Sequence, residues 1–167
     1  MGMSVSISAA TADDAERIFQ LQYLCHQSEA ELYGDYGLPP LVQTLGELRG
    51  ELAAGQVLVA RLGEEVVGSV RAAVDDAGTA RIHGLVVHPR MQRHGLGGRL
   101  VTAIEERLAA VGARRYRLAA GHRSEHTLRL CRGLGYETVG TEEAGGRLRL
   151  VTLEKTVRAE PLAAASA

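Results

Sequence analysis

The sequence predicts one mixed α/β domain whose central sheet is antiparallel in its first part and parallel in its second, with helices on both faces. A length of 167 residues is typical of a single domain with one hydrophobic core. Apolar residues change from helical spacing to strand-like spacing near Val57, and return to helical spacing after residue 95. The resulting order is β-α-α-β-β-β-α-β-α-β-β. We expect the domain to cover residues 4–155 and residues 156–167 to form a flexible tail.

The first half is predicted to hold a strand, two helices and a three-strand meander. Residues 5–7 alternate like a strand, and Thr11 followed by two aspartates is typical of a helix N-terminus. Glycines and prolines in residues 33–40 end that helix, and a second helix is predicted over 41–54. Residues 57–61 and 66–74 form a hairpin, and a turn at 75–78 leads to a strand over 79–87.

The second half is predicted to alternate helices and strands. Apolar residues recur at helical spacing from Leu96 to Val111. A strand over 114–120, a helix over 124–134 and a last strand over 147–155 follow. In the strand over 79–87, regular alternation would place Arg81, His83, Leu85 and Val87 on one face.

Composition excludes several classes of protein. With 46% hydrophobic residues, 23% charged residues and a net charge of −1, the chain is neither a disordered protein nor a nonspecific nucleic-acid binder. No apolar run approaches the length needed to span a membrane, and the first residues do not have the basic and apolar pattern expected of a signal peptide. Two cysteines and scattered histidines predict neither a disulfide framework nor a metal site. A cytoplasmic location is the default, and the sequence leaves a homodimer open.

Charge is distributed unevenly along the chain. Residues 1–60 contain eight acidic and two basic side chains, a net of −6, whereas residues 61–167 contain twelve acidic and seventeen basic side chains, a net of +5. The basic half suits an anionic cofactor, and the acidic half would attract protonated amines.

A glycine-containing turn between the strand over 79–87 and the next helix predicts an anion site. The first N–H groups of a helix lack carbonyl partners, and glycines let a phosphate approach the backbone. Spacing decides among phosphate-binding motifs. A dinucleotide fingerprint would need glycine or alanine at Leu100, and the chain has no Gly-Lys-Ser/Thr tripeptide for a P-loop.

The sequence of residues 92–97, Gln-Arg-His-Gly-Leu-Gly, resembles the Gln/Arg-x-x-Gly-x-Gly/Ala signature of the GCN5-related N-acetyltransferases (GNAT). Gly135-Tyr136 resembles a second family feature, the Gly-aromatic end of a later helix. The resemblance implies the acyl-CoA N-acyltransferase fold, acetyl-CoA as co-substrate, and acetyl transfer to a primary amine of a small molecule or peptide by direct attack in a ternary complex. A non-catalytic acyl-CoA-binding module of the same fold is the alternative, and a nucleotide-binding protein is a third.

The same resemblance implies where acetyl-CoA binds. In the family, main-chain groups of the strand before the turn hold the pantetheine arm, and the turn holds the pyrophosphate. Ser124 occupies the place of an asparagine that contacts the arm. The implied cofactor-binding residues are Leu85, Val86, Val87, Gln92, Arg93, His94, Gly95, Leu96, Gly97, Gly98 and Ser124.

Catalytic residues are implied at family positions as well. The base position falls on Arg81 or His83, and only histidine can accept a proton near neutral pH. His83 is therefore the candidate base, with a packing role as the alternative. Cys131 replaces the family's proton-donating tyrosine, and donation through water is the alternative there. We expect the acceptor amine to contact the segment of Glu29, Tyr33 and Tyr36.

Overall fold

A computed structural model describes residues 4–34, 43–144 and 148–157 of the chain. Within these ranges the strands are β1 (Val5–Ala9), β2 (Gln56–Leu62), β3 (Glu65–Val74), β4 (Thr79–Val87), β5 (Arg115–Gly121), β6 (Glu137–Glu143) and β7 (Arg149–Thr156). The helices are α1 (Ala15–Tyr33), α2 (Leu45–Ala54), α3 (Leu96–Ala110) and α4 (Glu125–Gly133). None of the described helices is long and apolar enough to cross a membrane.

All seven strands form one mixed sheet in the order β1-β2-β3-β4-β5-β7-β6. Strands β1 to β4 pair antiparallel, and β4 pairs parallel with β5. The predicted fold class is confirmed, but its parallel part is a single pair of strands. Strand β6 lies at the sheet edge and β7 returns antiparallel between β5 and β6, so the pairs beyond β5 are antiparallel.

Helices cover both faces of the sheet, as predicted. On one face α3 and α4 bury Leu100, Ile104 and Leu128 against the larger apolar cluster. On the other face α1 and α2 bury Ile18 and Leu48 in a second cluster. The two clusters hold the sheet between layers, and they leave the carboxyl ends of β4 and β5 next to the N-termini of α3 and α4.

Helix α2 begins at Leu45, later than the start at residue 41 that apolar spacing predicted. Residues 41 and 42 lie outside the described residues, and Thr44 is the N-cap. The Glu47 N–H donates to Thr44 Oγ1 at 3.1 Å, and the Glu47 carboxylate accepts from the Thr44 N–H at 2.9 Å. This reciprocal capping fixes where the helix starts.

The first helix also starts later than predicted, because Thr11 precedes a 3₁₀ turn over Ala12–Asp14 and α1 begins at Ala15. The other predicted boundaries lie within two residues of the observed ones. Strand β7 ends at Thr156, one residue beyond the expected end of the domain. Residues 158–167 of the predicted tail lie outside the described residues.

Strand β4 does not keep one alternation along its length. Ala80 and Ile82 face the larger apolar cluster, yet Leu85 and Val87 also pack against that cluster, while Val86 belongs to the other. The pairing with β3 shifts register between Ser69 and Arg71, opposite Gly84, whose φ is 64°. The expectation that Arg81, His83, Leu85 and Val87 share a face is therefore wrong, because a bulge at Gly84 reverses which side chains face each layer.

A buried carboxylate on α3 ties the last part of the chain to the core. Glu105 accepts hydrogen bonds from Tyr136 Oη at 2.7 Å and from Lys155 Nζ at 3.2 Å. Burial, followed by the Glu105 contact, raises the pKa of Tyr136 above its usual value, so the phenol stays protonated and donates. The Gly135-Tyr136 ending thus has an anchoring role between α4 and α3.

Candidate active site

The site lies where β4 and β5 separate. Their pairing covers only Thr79 to Ile82 on β4 and Arg115 to Leu118 on β5, although β4 continues to Val87 and β5 to Gly121. Beyond the last pair the two strands diverge, and a cavity opens on each side of Leu85. The β5-facing main-chain groups of the end of β4 are thereby freed from the ladder and can bind a ligand.

One cavity, of about 510 Å³, extends from Leu85 to the glycine turn and the start of α4. Every residue implied by the family resemblance to bind acetyl-CoA lines it, with the exception of His94. His94 is exposed on the surface of the turn. We call this space the cofactor-side cavity.

The turn itself has the backbone that an anion site requires. Arg93 and Gly95 have φ angles of 68° and 75°. Gly95 is the N-cap of α3, and its carbonyl accepts the Arg99 N–H at 3.1 Å. The N–H groups of residues 96–98 precede that bond and have no carbonyl one turn earlier in the helix. A Cβ on Gly97 would lie 3.1 Å from Leu130 Cδ2, so glycine also keeps α3 and α4 close.

Two side chains support the wall between β4 and this turn. Gln92 Nε2 and Cys25 Sγ both donate to the Val87 carbonyl, at 3.4 and 3.3 Å. Burial raises the pKa of Cys25 to about 11, so its thiol is protonated at neutral pH. Cys25 therefore acts here as a donor and not as a thiolate.

The second cavity, of about 410 Å³, lies on the α1 and α2 side of the diverging strands and includes His83, Gly84 and Leu85. We call it the acceptor-side cavity. Its floor carries a closed ring of hydrogen bonds. Arg71 binds the Glu51 carboxylate and donates to Gln22 Oε1 at 2.7 Å, Gln22 donates to Gln43 at 2.8 Å, and Gln43 donates to Glu51 at 2.8 Å.

Arg71 is the buried cation of this ring, with 6% of its surface exposed. Its guanidinium fills the space above Gly84, because a Cβ there would lie 2.4 Å from Arg71 Nε. The glycine is needed twice, for its left-handed backbone and for the close approach of Arg71.

His83 lies on the same wall and keeps solvent contact. Burial, and then the Arg71 charge, lower the pKa of His83 below its usual value, while Glu51 opposes this shift. The ring is consequently neutral at physiological pH, with a lone pair available to accept a proton.

The two cavities share a wall formed by five described residues, His26, Glu29, Leu85, Ser124 and Thr127. His26 Nδ1 lies 3.0 Å from Glu29 Oε2, one helical turn away on α1. Glu29 was predicted from the sequence as an acceptor contact, but His26 was not. The signal for it was the i, i+3 spacing of a histidine and a glutamate on one predicted helix.

Tyr33, predicted to bind the acceptor, lines the acceptor-side cavity but is only 2% exposed. Its hydroxyl lies 2.9 Å from Ser124 Oγ and accepts the Arg123 N–H at 3.0 Å. A Cβ on Gly121 would lie 2.0 Å from that hydroxyl, so the Tyr33 phenol packs directly against the backbone of β5 at a position where only glycine leaves room. Ser124 is the N-cap residue of α4 but makes no capping side-chain hydrogen bond.

Cys131, the predicted proton donor, lies away from both cavities. Cys131 is fully buried in the larger apolar cluster, and burial raises the pKa of its thiol to about 11. Cys131 is not one of the described residues that line the two cavities. Tyr36 lies outside the described residues. In the described ranges no group of three or more His, Cys, Asp or Glu side chains is arranged to hold a metal ion.

Comparison with known proteins agrees with this geometry. The Acetyltransferase (GNAT) family profile matches residues 15–136. A search of curated protein sequences gave no match.

Solved structures show the same fold. The acetyltransferase yncA from Salmonella typhimurium, solved with its cofactor acetyl-CoA, superposes with a TM-score of 0.78 at 16% identity, over 94% of this chain and 96% of that one. An aminoglycoside 6'-N-acetyltransferase complexed with coenzyme A gives 0.76 at 20% identity, over 93% and 99%. The ribosomal-protein-S18-alanine N-acetyltransferase from Escherichia coli gives 0.77 at 14%, over 94% and 96%. Likeness at these identities concerns the fold alone.

Proposed function

From the premise that the chain belongs to the GNAT family of acetyltransferases, we propose that it transfers an acetyl group from acetyl-CoA to a primary amine, by direct attack in a ternary complex. One observation carries the proposal. Two cavities approach Leu85 from opposite sides, one leading to an anion-binding turn and the other to a neutral histidine. If the thioester lies where the two cavities meet, an amine bound in the second cavity can attack it while both molecules stay in their binding sites.

The residues that line the cofactor-side cavity are suited to bind acetyl-CoA. The main-chain N–H groups of residues 96–98 and the Arg93 side chain would bind the pyrophosphate. The main chain of Leu85 to Val87, freed by the divergence of β4 and β5, would bind the pantetheine amides and polarise the thioester carbonyl. Ser124 and Gln92 line the path between these two ends.

We assign His83 as the base that takes the proton of the attacking amine. It lines the acceptor-side cavity, and its lowered pKa keeps it unprotonated at neutral pH. His26 is the rival base, because its Nδ1 is held by Glu29 on the wall that both cavities share. Comparing His83→Ala with His26→Ala on kcat separates the two.

The acceptor is proposed to be a small-molecule or peptide amine. Glu29 would pair with a protonated amine as it enters, and Tyr33 would line its path. The solved neighbours act on an aminoglycoside and on a ribosomal-protein alanine, as their names state, which shows how widely acceptors differ on this fold. A homodimer is left open.

The test is release of CoA thiol from acetyl-CoA over a panel of aminoglycosides, amino acids, polyamines and peptides with free N-termini. We expect release with at least one acceptor, and binding of acetyl-CoA by calorimetry. Binding without release from any acceptor would favour the alternative, an acyl-CoA-binding module. Absence of binding at millimolar acetyl-CoA would contradict both.

A further inference from the structure

We propose that Ser124 donates the proton to the departing CoA thiolate and that Tyr33 is the positioning residue that supplies a proton to Ser124. The proposal rests on the acetyl transfer proposed above. It fills the role that the family resemblance had implied for Cys131, whose thiol is buried in the apolar core and lines neither cavity.

The place of the leaving sulfur follows from the two cavities. The thioester carbon is bonded to sulfur from the cofactor side and attacked from the acceptor side, so it must lie at the wall that the cavities share. Ser124 and Thr127 are the two hydroxyl side chains on that wall. Of the two, Ser124 has a second hydroxyl behind it, at 2.9 Å.

The direction of the Tyr33–Ser124 hydrogen bond can be worked out from their partners. Tyr33 Oη already accepts the Arg123 N–H at 3.0 Å, and its side chain is buried. Donating to Ser124 Oγ gives the phenol proton a partner within the protein, whereas accepting from Ser124 would leave that proton only water in the acceptor-side cavity. Tyr33 therefore donates to Ser124 Oγ. The Ser124 proton is then left without an acceptor among the described groups, and it is free to point into the shared wall.

The proton balance is complete. An amine that enters protonated first gives one proton to solvent. Its neutral nitrogen then forms the new C–N bond and loses a second proton to His83, which later releases that proton to solvent. The C–S bond breaks with its electron pair going to sulfur, which takes the Ser124 proton. Ser124 takes the Tyr33 proton, and the phenolate is held by the Arg123 N–H beside the positive end of α4. Water reaching the acceptor-side cavity then returns a proton to Tyr33.

The experiment measures three quantities on each variant: kcat by CoA release, acetyl-CoA Kd by calorimetry, and Tm. We expect Ser124→Ala and Tyr33→Phe each to lower kcat by about 10²-fold with Kd nearly unchanged. The double variant should be no slower than Ser124→Ala, because the two residues act as one unit. Ser124→Thr, which keeps a hydroxyl, should recover most of the activity.

Matched controls separate chemistry from lost packing. Tyr116→Phe removes another buried tyrosine hydroxyl, which donates to the Glu105 carbonyl at 2.9 Å, and Ser69→Ala removes a buried serine hydroxyl, which donates to Leu58 at 3.0 Å. Neither residue lines the two cavities. Both controls should lower Tm while kcat per folded molecule stays unchanged.

Several outcomes would overturn the proposal. Full kcat in folded Ser124→Ala would mean that water or another group, with His26 next in line, protonates the thiolate. Parallel loss of kcat and acetyl-CoA affinity would make Ser124 a binding residue only. Loss in Ser124→Ala with full kcat in Tyr33→Phe would remove Tyr33 from the relay. If Ser124→Ala fails to fold, Ser124→Asn gives the same comparison, since an amide offers no hydroxyl proton. A wild-type protein inactive with every amine contradicts the proposed function itself.

Discussion

Gly84→Ala tests the bulge that separates the two halves of β4. The new methyl group meets two costs. A residue with a side chain at φ near 64° loses about 1–2 kcal/mol. In addition, the Arg71 guanidinium must withdraw by roughly 1 Å from a Cβ that would lie 2.4 Å from its Nε, which disturbs its bonds to Glu51 and Gln22.

The second cost can be bounded from the ring of hydrogen bonds. Losing one bond to a buried charged group costs about 1.5–3 kcal/mol. Together the two costs come to roughly 2.5–5 kcal/mol, and a domain of this size loses about 2–4 °C in Tm per kcal/mol. We therefore expect Gly84→Ala to lower Tm by roughly 5–20 °C.

Thermal melting followed by circular dichroism is the assay, with two glycine controls. Gly112→Ala places alanine at φ 95° in open space, so it carries the backbone cost alone. Gly140→Ala has neither a positive φ nor a contact within 4 Å. The order of destabilisation should be Gly84, then Gly112, then Gly140. If Gly84→Ala melts no lower than Gly112→Ala, the close approach of Arg71 does not contribute and the reasoning fails.

Three further outcomes are expected. His83→Ala should lower kcat by roughly 10²–10⁴-fold with acetyl-CoA affinity retained. In the wild type, activity should rise with pH through a pKa below the ordinary histidine value, because the neutral ring is the base. Full activity in the folded variant would remove His83 from the role of base. Gly97→Ala should weaken acetyl-CoA binding in calorimetry, since its Cβ meets Leu130, and adding Leu130→Ala should restore part of the affinity unless the contact is irrelevant. Cys131→Ala should cost about 1–2 kcal/mol of unfolding free energy in urea while kcat per folded molecule is kept; a large loss of kcat would return the thiol to catalysis.

Local patterns predicted the fold because they act over short distances in the chain. The glycine turn, its helix and the strand before it could be predicted from spacing. The family resemblance pointed to ten of the residues that line the cofactor-side cavity, and to His94, which does not line it. Gly84 was visible in the sequence, but its effect was not. A glycine within a strand can be a bulge or a plain ladder position, and the partner strand decides which. The face of His83 relative to Leu85 was therefore mispredicted.

Contacts distant in sequence could not be predicted. Tyr33 and Ser124 are 91 residues apart, and their hydrogen bond depends on where α1 ends relative to β5. Arg71 was not considered for the site at all, because a charged residue in a strand is ordinarily solvated. Its partners Gln22 and Glu51 lie on different helices, and only the tertiary packing brings them to one floor.

The narrow junction of β4 with β5 also has a consequence for local stability. Among the described residues, the four pairs between β4 and β5 are the only strand pairing that joins β1–β4 to β5–β7, so the sheet has a narrow seam. Hydrogen exchange in native proteins follows such cooperative units. A molecule held between Val87 and Ser124 bridges the seam, and its binding energy adds to the opening free energy of both halves. Amide protons far from the ligand, in β6 and β1 alike, then exchange more slowly in the loaded protein than in the free one.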